Sequence, residues 1–102
     1  ASDDAIPPTW PRGANLRCAD SRGRVELHWD AASDNEGVYG YEIFRSVDGG
    51  AFAHLKSVRG PRTSYADDKA VSGERYAYQV RAYDLAGNRS PPSNTIDAEL
   101  KR

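Results

Sequence analysis

Taking every second residue of segment 74–83 puts Tyr76, Tyr78, Val80 and Ala82 on one face and Ala77, Gln79, Arg81 and Tyr83 on the other. A period of two belongs to a strand with one buried face. Segment 24–29 repeats the pattern, Val25, Leu27 and Trp29 against Arg24, Glu26 and His28, which makes Trp29 the expected centre of the core. Shorter runs predict strands over 15–20, with Leu16 and Cys18 inward, and over 38–46, with Tyr41 and Ile43 inward. Runs at 51–58, 63–66, which carries Tyr65, and 94–100 complete the set. Turn residues separate them. Asp34, Asn35 and Gly37 suit a loop over 31–37, Asp48-Gly49 suits a tight hairpin, and Gly60-Pro61 breaks the run before it. Seven strands without a helical segment predict an all-β fold of two antiparallel sheets packed as a sandwich.

Residues 1–13 differ in composition. Acidic and small polar residues precede Ile6-Pro7-Pro8-Thr9-Trp10-Pro11, which reads as a stiff, semi-extended linker, so the domain is expected over 14–100 with a short tail at 101–102. Such a lead-in suggests a module cut from a longer protein.

In order and spacing, these residues resemble a fibronectin type III domain of the style found in bacterial secreted multidomain enzymes. The resemblance runs through Val25-x-Leu27-x-Trp29, Ser33-Asp34-Asn35, Gly40-Tyr41-Glu42-Ile43-Phe44-Arg45 and Asp48-Gly49-Gly50-Ala51-Phe52. It continues in Thr63-Ser64-Tyr65-Ala66-Asp67, in Gly73 to Tyr76, and in Ala86-Gly87-Asn88-Arg89-Ser90 to Pro92-Ser93-Asn94. It implies an immunoglobulin-like sandwich of three strands on four without a disulfide, structural roles for Trp29, Tyr41, Tyr65 and Tyr76, and a secreted or cell-surface location. Tyr76 takes the tyrosine-corner position, its hydroxyl tied to backbone near Val71 or Gly73.

Charge narrows the function classes. Lys and Arg number 14 against 15 Asp and Glu, so no overall field draws in nucleic acid, and no apolar run is long enough to insert in a membrane. Cys18 is the single cysteine, which excludes an internal disulfide and a cysteine metal cluster. His28 and His54 fall in strands and lack a companion at metal-ligand spacing. No nucleophile elbow, phosphate loop or dinucleotide fingerprint occurs, so neither catalytic residues, metal nor cofactor are expected. The carboxylates of Asp30, Asp34 and Glu36, and of Asp67-Asp68, lie in turns without the alternating order of a calcium loop. Asn88 suits turn formation.

Parity sets Phe44 and Tyr83 outward on strands that neighbour each other in the family, a possible ligand patch that Tyr39 and Trp10 extend. Outward aromatics also make good cross-strand partners. The expected function, which the resemblance implies, is a non-catalytic accessory module, a monomeric spacer or docking domain that partners neighbouring domains of its own polypeptide in a secreted or cell-surface protein such as a polysaccharide-degrading enzyme. The alternative is direct binding of carbohydrate or protein through the exposed sheet face or loops.

Overall fold

The computed structural model describes residues 8–11, 16–21, 23–34 and 37–99. Seven strands follow in chain order: β1 (Leu16–Ser21), β2 (Arg24–Trp29), β3 (Gly40–Val47), β4 (Ala53–Arg59), β5 (Ser64–Asp67), β6 (Arg75–Tyr83) and β7 (Ile96–Glu99). One sheet has the order β1-β2-β5 and the other β4-β3-β6-β7, and every pairing is antiparallel. The β3–β4 turn places Asp48 and Gly49 at φ values of 50° and 77°, the left-handed pair that a two-residue hairpin needs to match strand twist.

The core forms where the alternating faces meet. Leu16, Val25, Leu27 and Trp29 of the first sheet pack on Tyr41, Ile43, Val58, Tyr76, Tyr78, Val80 and Ala82 of the second, all buried. Trp29 lies against Tyr41, ring centroids 5.4 Å apart. Cys18, expected inward, is only half-buried on an outer strand of the three-stranded sheet, and Tyr65, expected to be structural, is half-buried against the core on the other outer strand. The Val71 N–H donates to the Tyr76 hydroxyl at 2.8 Å, pinning the β5–β6 connection.

Residues 8–10, which composition assigns to a free lead-in, belong instead to the folded unit. Pro8 is fully buried, and Thr9 and Ser33 exchange two backbone hydrogen bonds of 2.8 Å. The Trp10 ring stacks on Tyr41 at 6.0 Å while its indole N–H donates to the Pro91 carbonyl at 2.9 Å. Burying an aromatic ring while satisfying its N–H outweighs the stiffness of the flanking prolines.

Side chains close the sandwich where strands run out. Beyond its pairing with β7, β6 donates the N–H groups of Val80 and Ala82 to the hydroxyls of Ser93 and Ser90, each at 2.9 Å, while the serine N–H groups return to the Val80 and Ala82 carbonyls. Asn94 acts the same way across the sheets: its carbonyl accepts from the Leu16 N–H at 2.8 Å and its amide donates to the Leu16 carbonyl at 3.1 Å.

Candidate functional site

The outer face of the four-stranded sheet carries the expected ligand patch. Strand register orders it into rows. Gly40 stands between Arg59 and Tyr83, Glu42 between Ser57 and Arg81, and Phe44 between His54 and Gln79. Phe44 is therefore four residues from the Tyr83 row, about 13 Å at roughly 3.3 Å per residue. The two aromatics that parity placed side by side form separate clusters. Phe44 packs edge-on against His54, centroids 5.8 Å apart, whereas Tyr83 meets Tyr39 at 5.8 Å with ring planes tilted 54°. Trp10 leaves the patch altogether, since it packs toward the core on Tyr41.

Gly40 explains why Tyr83 lies where it does. A Cβ at this buried position would fall 2.5 Å from the Val58 carbonyl oxygen and 2.8 Å from the Tyr83 hydroxyl, so only glycine lets the ring lie across the backbone. On the other side, the Arg59 guanidinium stacks over the Tyr39 ring at 4.7 Å. Glu42 and Arg89 complete this end with a two-pronged ion pair, Nε to Oε1 at 2.6 Å and Nη2 to Oε2 at 3.2 Å. That hydrogen bond from Arg89 holds the Glu42 carboxyl below the ordinary glutamate range against the opposing effect of burial.

The remaining candidates serve the fold. Asp67 is fully buried and accepts from three donors: the Arg45 guanidinium at 2.8 Å, the Tyr78 hydroxyl at 2.6 Å and the Lys69 N–H at 3.1 Å. Because Arg45 lies on β3 and Asp67 on β5, this node ties one sheet to the other. Burial, reinforced by the bond to Asp67, raises the Tyr78 phenol far above its usual range, so it stays a proton donor. Arg45 also lies over the Tyr76 ring at 5.2 Å. Sequence reasoning considered Asp67 as a turn carboxylate and missed the node. Its signal was the parity of β3, which continues from Tyr41 and Ile43 to an inward Arg45.

Asp30 pairs with Arg17 at 3.2 Å, and Asp84 accepts the Asn88 N–H at 2.8 Å, which closes the β6–β7 turn. The expectation for Glu36 lies outside the described residues. Among the described residues, no three His, Cys, Asp or Glu side chains group to hold a metal. His28 approaches Glu26 at 3.8 Å, and His54 bonds the Ser57 hydroxyl at 2.8 Å. Burial, then the charge of Asp97, raises the Cys18 thiol, which keeps it protonated.

No family model matches the chain. It is 43% identical over 95 residues to an amylopullulanase of Thermoanaerobacterium thermosulfurigenes, covering 93% of this chain and 5% of that protein. It is 32% identical over 98 residues to exoglucanase B of Cellulomonas fimi, covering 96% and 8%, and 35% identical over 95 residues to chitinase C of Streptomyces lividans, covering 91% and 14%. The chain thus spans a small fraction of each relative. Among solved structures, a "Fn3-like protein" from Clostridium thermocellum superposes with a TM-score of 0.72 at 22% identity, covering 98% of this chain and 97% of that one. A β-1,2-glucanase from Parabacteroides distasonis gives a TM-score of 0.73 at 26% identity, over 96% of this chain and 14% of that one.

Proposed function

We propose that this chain, a fibronectin type III domain, works as a non-catalytic accessory module in an extracellular multidomain polysaccharide-degrading enzyme, where it spaces and orients the neighbouring domains. One observation carries the reading. Nearly the whole chain recurs as a small part of an amylopullulanase, an exoglucanase and a chitinase. A segment common to proteins of three different names supplies something they share, and what their names distinguish has to arise elsewhere. The filled core and the structural use of its buried charges agree with this. A folded spacer holds two neighbours at fixed separation and so raises the effective concentration of one at a surface bound by the other.

The test is carried out in the parent enzyme. Removing the module is expected to leave turnover of a soluble oligosaccharide unchanged and to lower turnover of the insoluble polymer. Replacing it with a flexible Gly/Ser linker of equal span is expected to restore that loss only in part. Loss of soluble turnover on deletion would contradict a non-catalytic role, and full restoration by the linker would remove the need for a folded spacer.

A further inference from the structure

We propose that the Tyr39, Tyr83 and Arg59 cluster, framed by Glu42 and Arg81, is a contact site for a neutral polysaccharide chain. The inference rests on the accessory-module reading and adds to it a ligand for one end of the outer sheet. The first observation is unused hydrogen-bonding capacity. Among the described residues, the hydroxyls of Tyr39 and Tyr83 and the guanidinium groups of Arg59 and Arg81 make no hydrogen bond, although Tyr39, Tyr83 and Arg81 are half-buried and ordered by their neighbours. The Arg59 guanidinium lies over the Tyr39 ring, 4.7 Å from its centroid, which sets its donors beside the two phenols.

Charge decides the class of ligand. Glu42 shares a row with Arg81, one row along from Arg59, and its carboxylate is held by Arg89, so one carboxylate stands among three guanidinium groups. The Glu42–Arg89 pair is neutral as a unit, which leaves Arg59 and Arg81 as the unpaired charges, and two such charges hold a polyanion weakly at physiological salt, where screening acts over about 8 Å. Two phenols, each donor and acceptor, ring edges that present apolar surface, and flanking guanidinium donors match a pyranose, with its apolar C–H faces and its rim of hydroxyls. The tilt of 54° between the tyrosine rings gives an angled seat for one or two sugar units and no flat platform for a crystalline surface. Phe44, about 13 Å away along the strand, is outside the contact.

The experiment titrates the labelled 102-residue chain with maltohexaose, cellohexaose and chitohexaose while its amide spectrum is followed by NMR. So small and open a site is expected to bind with a Kd on the order of 1 mM. At least one oligosaccharide should shift the amides of Tyr39, Arg59, Arg81 and Tyr83, with Phe44 unmoved. Arg59→Ala and Tyr83→Phe, the latter keeping the ring over Gly40, should each weaken binding about tenfold, as expected where few residues carry the contact, while Tyr83→Phe leaves the thermal midpoint unchanged and Arg59→Ala, which gives up its contact with the Tyr39 ring, lowers it by about 5 °C at most. No shift with any of the three up to about 10 mM, shifts centred elsewhere, or binding unaffected by both variants would each overturn the site. So would binding to polygalacturonate alone, lost on adding salt, because that ligand answers to basic charge. Failure here leaves the deletion experiment in the parent enzyme untouched, so the two readings fall separately.

Discussion

Replacing Arg45 by methionine isolates the buried ion pair that joins the two sheets. The change keeps most of the aliphatic stem and removes the guanidinium, which lies over the Tyr76 ring and is the counter-ion of a carboxylate that has no contact with solvent. Asp67 then retains only the Tyr78 hydroxyl and the Lys69 N–H. Removing one partner of a buried pair costs about 3–5 kcal/mol, because the surviving charge is stranded. The Arg45 side chain is 22% exposed, so the space it vacates is open to water and the expected loss lies near the lower end, about 3 kcal/mol. The reciprocal Asp67→Asn should cost less, about 2 kcal/mol, since the amide still accepts and the partly exposed guanidinium can be hydrated. The double variant strands neither charge and should fall about 2 kcal/mol short of the sum of the singles. Urea unfolding reads all three: at a slope of about 1–1.5 kcal/mol per molar, Arg45→Met shifts the midpoint by about 2–3 M. Strictly additive variants, or a loss below about 1 kcal/mol for Arg45→Met, would refute the reasoning, because that is how an exposed ion pair behaves.

Other perturbations follow from the same geometry. Tyr76→Phe removes the acceptor of the Val71 N–H and should lower stability by about 1 kcal/mol, the small end of the range because Val71 is 59% exposed; an unchanged urea midpoint would count against the tether. Gly40→Ala drives a methyl into the Val58 carbonyl and should cost about 1–3 kcal/mol, with no rescue when Tyr83→Ala is added, since the backbone clash survives; rescue would show that the ring alone was limiting. Glu42 has its pKa depressed in the folded state, so its contribution is present above its ordinary value near 4.5 and disappears as pH falls through the lower folded value. Glu42→Gln should flatten that part of the acid limb by less than about 1 kcal/mol, given how exposed Arg89 is, and superimposable pH–stability curves for variant and parent would contradict this.

Alternation alone placed nearly all of the core. Leu27, Ile43, Tyr78 and Val80 lie inward because side chains change face at every residue, whatever the rest of the chain does. What depended on distant partners was not legible. Parity placed Phe44 and Tyr83 outward, yet their separation is a matter of register between β3 and β6, which are joined by a long excursion through β4 and β5 rather than by a turn of fixed length. The prolines around Trp10 give its segment the composition of a linker, and nothing local announces Ser33 as the partner of Thr9, or Tyr41 and Pro91 as those of Trp10. The node at Asp67 shows the same limit. Inward parity for Arg45 could be read from β3, but its counter-charge lies on the opposite sheet, and only the packing of the two sheets brings them together.

The serine pair beyond β7 bears on how such domains live beside copies of themselves. Where β6 has outrun its last neighbour, the N–H groups of Val80 and Ala82 are already taken by hydroxyls, and Pro91 and Pro92 between those serines present no N–H to the outside. A strand arriving from another molecule finds no ladder to extend there. Domains joined in series or crowded on one substrate particle would then lack one of the common routes to strand exchange and fibre growth. The arrangement uses two hydroxyls and two prolines in place of a longer edge strand, so a sequence that is a poor strand former becomes a barrier against misassembly.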